Sequence, residues 1–196
     1  MYDNTEIRIL EQIYLNPGIH KRELSKKLKL GMPSIDYALQ KINTLIKKQK
    51  AGNQINYFLD YSKEGLSPAL SIVEYSRFER LPVKIKLSIR DLLKELKEKP
   101  LIVLIFGSYA NNTYTKNSDI DILLVLQKIE NSKQIENTAK KIGMKTNTQL
   151  NPVYLDYHSF KDSFHNSTKE FFKKLQKDKI ILIGVEWWRQ LKDEEA

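Results

Sequence analysis

The chain has 196 residues, enough for one large domain or two small ones, each with its own core. A net charge of +9 and a pI near 9.4 favour polyanionic partners, nucleic acid or nucleotide phosphates among them. Cysteine is absent, which excludes disulfides and thiolate metal sites, and with no apolar run near 18 residues and no signal-type start the expected setting is cytoplasmic, without a membrane span.

From Ile7 the apolar residues Ile7, Leu10, Ile13 and Tyr14 recur at helical spacing until Asn16-Pro17-Gly18 stops them. A second short helix turns Leu24 and Leu28 inward and Lys21, Arg22, Lys26 and Lys27 outward, ending near Gly31. The stretch MPSIDYALQKINTLIKKQ then puts Ile35, Ala38, Leu39, Ile42, Leu45 and Ile46 on one stripe, which predicts a long amphipathic helix. Its other face carries Ser34, Tyr37, Gln40, Lys41 and Thr44. After it, KKQKAGNQINYFLD alternates around Ile55, Tyr57 and Leu59 on either side of a turn at Ala51-Gly52-Asn53, the pattern of a β-hairpin.

Three helices followed by a hairpin resemble the winged helix-turn-helix domains of bacterial and archaeal regulators. That resemblance implies double-stranded DNA as a partner. The third helix would enter the major groove with Ser34, Tyr37, Gln40 and Lys41 nearest the bases, and Lys47, Lys48 and Lys50 would lie toward phosphates. Asp36 on that helix opposes phosphate contact, and the same fold can serve as a protein contact module.

Residues 63–100 read as a connector with two helices. One runs from about Pro68 to Glu79 with Leu70, Ile72, Val73 and Tyr75; the other, from about Val83 to Lys97, buries Ile85, Ile89, Leu92, Leu93 and Leu96 against the C-terminal sheet. Pro100 ends it. The expected divisions are therefore residues 1–62, 63–100 and 101–196, with the boundary near Tyr61 to Ser67.

The apolar, β-branched run LIVLIF predicts a buried strand bounded by Pro100 and Gly107. Gly107 and Ser108 form a tight turn, and SYANN is expected to open a short helix whose first N–H groups face an anion. In the next strand, DIDILLVL, Asp119 and Asp121 share a face at about 7 Å of chain rise while Ile120 and Ile122 point into the core. Two carboxylates on one face repel unless a cation sits between them, and hard oxygen ligands suit Mg²⁺. A strand-entry cap plus a solvated edge residue is the alternative use of the same pair.

The whole run FGSYANNTYTKNSDIDILLV resembles the signature of the nucleotidyltransferase fold of the DNA polymerase beta superfamily, and its minimal nucleotidyltransferases most of all. The resemblance implies an α+β chain whose C-terminal part is a mixed β-sheet with flanking helices. It further implies that Asp119 and Asp121 hold two Mg²⁺ ions, that Gly107 and Ser108 contact the β and γ phosphates of an NTP, and that attack at the α phosphate releases pyrophosphate. Minimal nucleotidyltransferases are often antitoxins that modify a partner toxin, so a protein acceptor, or an RNA, is implied as well.

Two positions depart from that signature. Its last glycine is Asn112 here, a residue that tolerates a left-handed backbone. The third carboxylate is expected from the strand in QLNPVYLDYHSF, where the usual register falls on Asn151 and the one acid, Asp156, comes at the strand's end in a position suited to capping. Either a working transferase uses Asn151 as a substrate-binding group or Asp156 as a further metal ligand, or the domain is degenerate and the chain is a DNA-binding regulator that senses nucleotide. His20, His158 and His165 lack metal-ligand spacing. NSTKEFFKKLQKDK predicts an amphipathic helix, Ile180 to Gly184 a final strand, and Trp187 and Trp188 an anchored terminal segment. Homodimerisation is compatible with both parts.

Overall fold

A computed structural model describes residues 4–165 and 170–195. The chain divides into two compact units, one made of the residues up to Val73 with Lys192–Glu194 and one running from Glu74 to Leu191.

In the first unit, α1 (Asn4–Leu15) buries Ile7, Ile9, Leu10, Ile13 and Tyr14. Gly18, at φ +87°, turns the chain into the two-residue strand β1 (Ile19–His20). Helix α2 (Lys21–Leu28) is capped at its start by His20, whose Nδ1 accepts from the Glu23 N–H, and at its end by Lys29 in the left-handed region. Helix α3 (Met32–Lys41), with Pro33 in its first turn, is shorter than the stripe predicts. Ile35, Ala38, Leu39, Ile42, Leu45 and Ile46 are all buried, but the last three do so from a bend, a 3₁₀ turn over Asn43–Leu45 and the start of a strand. Asn43 and Thr44 are weak helix formers, and burial at steps of three and four does not require one unbroken helix.

Strand β2 (Ile46–Ala51) pairs antiparallel with β3 (Gln54–Leu59) through a two-residue turn opened by Gly52 at φ +58°. The order in this sheet is β1-β3-β2. Tyr57 and Leu59 face the core, while Ile55, at the hairpin tip, is exposed.

Helix α4 (Leu66–Glu79) buries Leu70 and Val73 but leaves Ile72 and Tyr75 in solvent, so the inward stripe is narrower than the apolar residues suggest. In the second unit, α5 (Val83–Glu95) supplies Ile85, Ile89 and Leu92 to the main core. The sheet consists of β4 (Ile102–Phe106), β5 (Ile120–Leu126), β6 (Leu150–Asp156) and β7 (Lys179–Ile183) in the order β6-β5-β4-β7. Strands β5 and β6 are parallel, joined through α6 (Ser132–Thr146); β4 runs antiparallel to both β5 and β7. From Ile122 to Val125 the central strand β5 is fully buried, as a strand covered on both faces must be. Pro152 is accommodated because β6 is an edge strand, where a missing N–H need not break a ladder.

Helices α7 (Tyr157–His165), α8 (Glu170–Lys177) and α9 (Val185–Glu194) bring together Phe160, Phe164, Phe172 and Trp188, whose rings meet at 4.9–6.0 Å. Trp188 is fully buried, and Trp187, more exposed, meets Tyr157 edge-on. The start of the helix expected from Asn166 lies outside the described residues. Among the described residues no helix is long and apolar enough to cross a membrane.

Candidate active site

The site is built at one end of three neighbouring strands. Phe106, the last residue of β4, is in register with Asp121 near the start of β5, and Asp121 is in register with Asn151 near the start of β6. Phe106, Asp121 and Asn151 thus form a row across the sheet, and Gly107 follows Phe106 directly. Asp119 lies just before β5, two residues from Asp121 and therefore on its face. The amide of Asn151 joins the acids: its Nδ2 donates to Asp119 Oδ2 at 3.2 Å and to Asp121 Oδ1 at 3.4 Å.

Gly107 has φ +69°, and a Cβ at that position would collide with Asp121 Oδ2. Only glycine fits, for conformation and for space. The helix expected from Ser108 reduces to a single 3₁₀ turn over Gly107–Tyr109. Asn111 Oδ1 accepts from both the N–H and the hydroxyl of Thr113, and Asn112 adopts φ +61°, so local side-chain bonding ends the helix before it starts. The first N–H groups of such a turn have no partner inside it, and the half-buried Ser108 stands beside them.

Burial pushes the Asp121 carboxyl above the usual carboxylate range; the hydrogen bond from Asn151 opposes that push, and the neighbouring Asp119 charge adds to it. The site concentrates negative charge where water is already thin. This donor set, two carboxylates and an amide carrying one donor and one acceptor group, fits a hard divalent cation at Asp119 and Asp121, with Asn151 as a neutral neighbour.

Asp156 does not join them. It pairs with Leu126, five residues further along the parallel ladder from the Asp121–Asn151 step, which is about 16 Å of strand. Its Oδ1 accepts from the Ser159 N–H at 2.9 Å and its Oδ2 from the Ser159 hydroxyl at 2.7 Å, so it caps α7. As a metal ligand it is corrected: a carboxylate spent on a helix start at the far end of the strand cannot complete the pair. Among the described residues no group of three or more His, Cys, Asp or Glu side chains is placed to hold a metal ion. The histidines stand apart: His20 caps α2, His158 is exposed near Asp162, and His165 packs on Phe164.

Beside Asp119 lies a cleft of about 700 Å³, lined among others by Lys84, Tyr114, Lys116, Asn147 and Gln149. Its wall is stiffened by Tyr109 stacked on Tyr114 at 4.6 Å and by Ser118 Oγ accepting from the Thr115 N–H at 2.8 Å. No sequence signal marks this cleft or Arg77, which donates to the Ala110 carbonyl at 3.4 Å. An arginine three residues after a glutamate on a helix reads as an ordinary surface pair, and nothing in the local pattern marks it otherwise.

In the first unit Ser34, Tyr37, Gln40 and Lys41 are all exposed on α3, and the Lys41 ammonium sits 5.2 Å from the centre of the Tyr37 ring. Asp36 is ion-paired with Lys21, which removes much of its opposition to an anion. Lys47 and Lys48 are exposed on β2, Lys47 at 3.3 Å from the Asp60 carboxylate.

The second unit is thus an α+β domain whose mixed sheet sets a glycine turn beside paired carboxylates. Residues 88–184 match the model of the nucleotidyltransferase domain family. No curated protein matches the chain. Among solved structures, a toxin–antitoxin with AMP-PNP is similar at 20% identity and TM-score 0.42, covering 56% of this chain and 81% of that one. A mutant of the toxin–antitoxin MntA-HpeT is similar at 19% identity and TM-score 0.42 over the same shares. A putative nucleotidyltransferase from Sulfolobus solfataricus follows at 22% identity and TM-score 0.30, covering 55% of this chain and 84% of that one.

Proposed function

We propose that the chain transfers a nucleoside monophosphate from an NTP to a hydroxyl on a protein or RNA acceptor, in a Mg²⁺-dependent reaction at the Asp119–Asp121 end of β5. The observation that carries this reading is the gathering of both carboxylates at Asn151 beside a Gly107 turn that admits no side chain. Gly107 and Ser108 present N–H groups and a hydroxyl to the β and γ phosphates. Asp119 and Asp121 would hold the divalent cation, which supplies charge neutralisation on the triphosphate and lowers the pKa of the attacking hydroxyl. The new bond joins the acceptor oxygen to the α phosphorus as the α–β anhydride breaks and pyrophosphate leaves. Asn151 cannot take the hydroxyl proton, which passes to solvent.

The first unit, on this reading, is a winged helix-turn-helix module over residues 1–62, joined by a helical connector to the transferase domain, and it binds double-stranded DNA. Support comes from the exposed Ser34, Tyr37, Gln40 and Lys41 on α3 and from Lys47 and Lys48 on β2. Changing Lys47 and Lys48 to Ala should weaken duplex binding and reduce the slope of log affinity against log salt by roughly one for each phosphate no longer neutralised. Salt-independent binding, or none, would remove DNA from the proposal.

A second reading is favoured by Asn151 itself: without a third carboxylate the domain binds nucleotide but does not turn it over, and the chain is a DNA-binding regulator. Incubation with labelled NTPs, Mg²⁺ and cell extract separates the two. Label transferred by the wild type and lost in Asp121→Asn supports the transferase; specific duplex binding without transfer supports the regulator.

A further inference from the structure

Glu74 and Arg77 lie one turn apart on α4 and are almost wholly out of water, with side-chain exposures of 1% and 7%. Arg77 Nη1 donates to Glu74 Oε2 at 2.8 Å. The desolvation cost of burying such a pair can exceed its mutual attraction, so it is weak evidence for stability alone, and what else the guanidinium touches matters.

It touches the Gly-Ser turn. Arg77 Nη2 donates to the Ala110 carbonyl at 3.4 Å, and the Ala110 N–H in turn donates to the Gly107 carbonyl at 3.1 Å. Other ties on this turn come from nearby in sequence: Asn111 N–H to the Gly107 carbonyl at 3.2 Å, Thr113 N–H to the Ser108 carbonyl at 2.9 Å, and the Tyr109 hydroxyl to the Ser118 carbonyl at 3.4 Å. Arg77 alone among these reaches in from 33 residues away, from a helix that precedes the family segment beginning at residue 88.

We infer that Arg77, oriented by Glu74, is a positioning residue that fixes the Gly107–Ala110 turn for a nucleoside triphosphate. The inference rests on the reading of that turn as the phosphate subsite. Arg77 does not touch the ligand; it holds the far end of the turn so that the N–H groups at its start keep one orientation. A preorganised donor costs less to order on binding than a loose one. The guanidinium suits the task because its fixed fork serves the carboxylate and the carbonyl at once, which a lysine ammonium on a flexible stem does less well.

The test uses the full chain. Arg77→Met alone takes the Arg77 partner from a buried Glu74 carboxylate, so the main variant is the double Glu74→Gln, Arg77→Met, which removes both charges. Three quantities are measured: the affinity for a non-hydrolysable NTP with Mg²⁺, amide hydrogen exchange over residues 108–113, and the melting temperature. The expected result is an affinity about tenfold weaker and exchange at least several-fold faster at 108–113 with the fold retained, the affinity partly recovered in Arg77→Lys. Unchanged affinity and unchanged exchange at the turn would overturn the inference, and so would a lower melting temperature without either change. If the double variant does not fold, Arg77→Lys carries the same comparison at smaller amplitude. If the wild type binds no NTP, the transferase reading fails and hydrogen exchange at the turn alone decides whether Arg77 positions it.

Discussion

Strands β5 and β6 carry an aspartate story at each end, and the two ends run in opposite directions. At the start of the ladder Asp121 lies against Asp119, and burial pushes its carboxyl above the usual range. At the far end Asp156 accepts two hydrogen bonds from Ser159, which pull its carboxyl below that range. A raised pKa means that ionisation works against the fold; a lowered one means that it helps. The cap uses its charge for stability, whereas the site bears a charge that burial disfavours. A place where a fold tolerates a disfavoured charge is a place to look for a ligand.

The contrast can be broken most severely through activity. Asp121→Asn should cut nucleotide transfer by a factor on the order of 10² to 10³ or more, measured as label incorporated at saturating Mg²⁺. Asp156→Ala should leave the rate within about twofold, since it sits about 16 Å up the strand. Equal losses in both variants would mean that the two ends are not functionally distinct.

Asn151→Asp sharpens the contrast from the other side. A third carboxylate in register with Asp121 should raise the transfer rate about tenfold at saturating Mg²⁺, because it adds an ionised ligand and a proton acceptor. In chelator the same variant should melt lower than the wild type, because three acids then share the face. A slower enzyme with Mg²⁺ would show that Asn151 has a role no carboxylate can fill.

Stability gives the smaller effects, and their pH dependence carries the sign. In chelator at pH 7, Asp121→Asn should melt a few degrees above the wild type, because it removes a charge the fold disfavours. Asp121's folded pKa is raised, so the folded state holds its proton to higher pH than the unfolded chain does. The penalty is absent below the unfolded value, grows as pH climbs through the folded pKa, and the gap between the two proteins should close on acidification. Asp156→Ala should do the reverse and melt slightly lower at pH 7. Its stabilisation is present above the unfolded carboxylate pKa and is lost as pH falls through the depressed folded value. Thermal melts across pH 3–7 would read both trends in one series.

Much of the site was legible because it is local. The DxD step, Gly107 and the β-branched runs on either side lie within 25 residues, and a strand's alternation fixes which side chains share a face. Asn151 could be placed by register from the family resemblance, yet its hydrogen bonds to both acids depend on the parallel pairing of β5 with β6, a contact across 30 residues. Arg77 was illegible for the same reason in stronger form, since its partner Ala110 is 33 residues away and no spacing rule reaches that far.

Elsewhere the local signals were present but ambiguous. Residues 127–148 receive no element in the sequence analysis, although Ile135, Ala139 and Ile142 recur at steps of four and three, with Asn131 capping the start of α6 and Asn147 ending it at φ +49°. Its exposed lysines and short polar residues dilute the apolar stripe to three positions. The end of α3 fails differently: the stripe is real and every position on it is buried, but periodicity cannot distinguish one helix from a helix that passes into a 3₁₀ turn and a strand.

On the proposed reading, the Asp119–Asp121 end transfers a nucleoside monophosphate and releases pyrophosphate. The most direct test supplies the wild-type chain, Mg²⁺ and cell extract with each NTP labelled either at the α or at the γ phosphate. Acceptor should be labelled from the α position alone, with pyrophosphate formed in equal amount and both signals lost in Asp121→Asn. Label arriving from the γ position, or none from either position with any of the four NTPs, would contradict it.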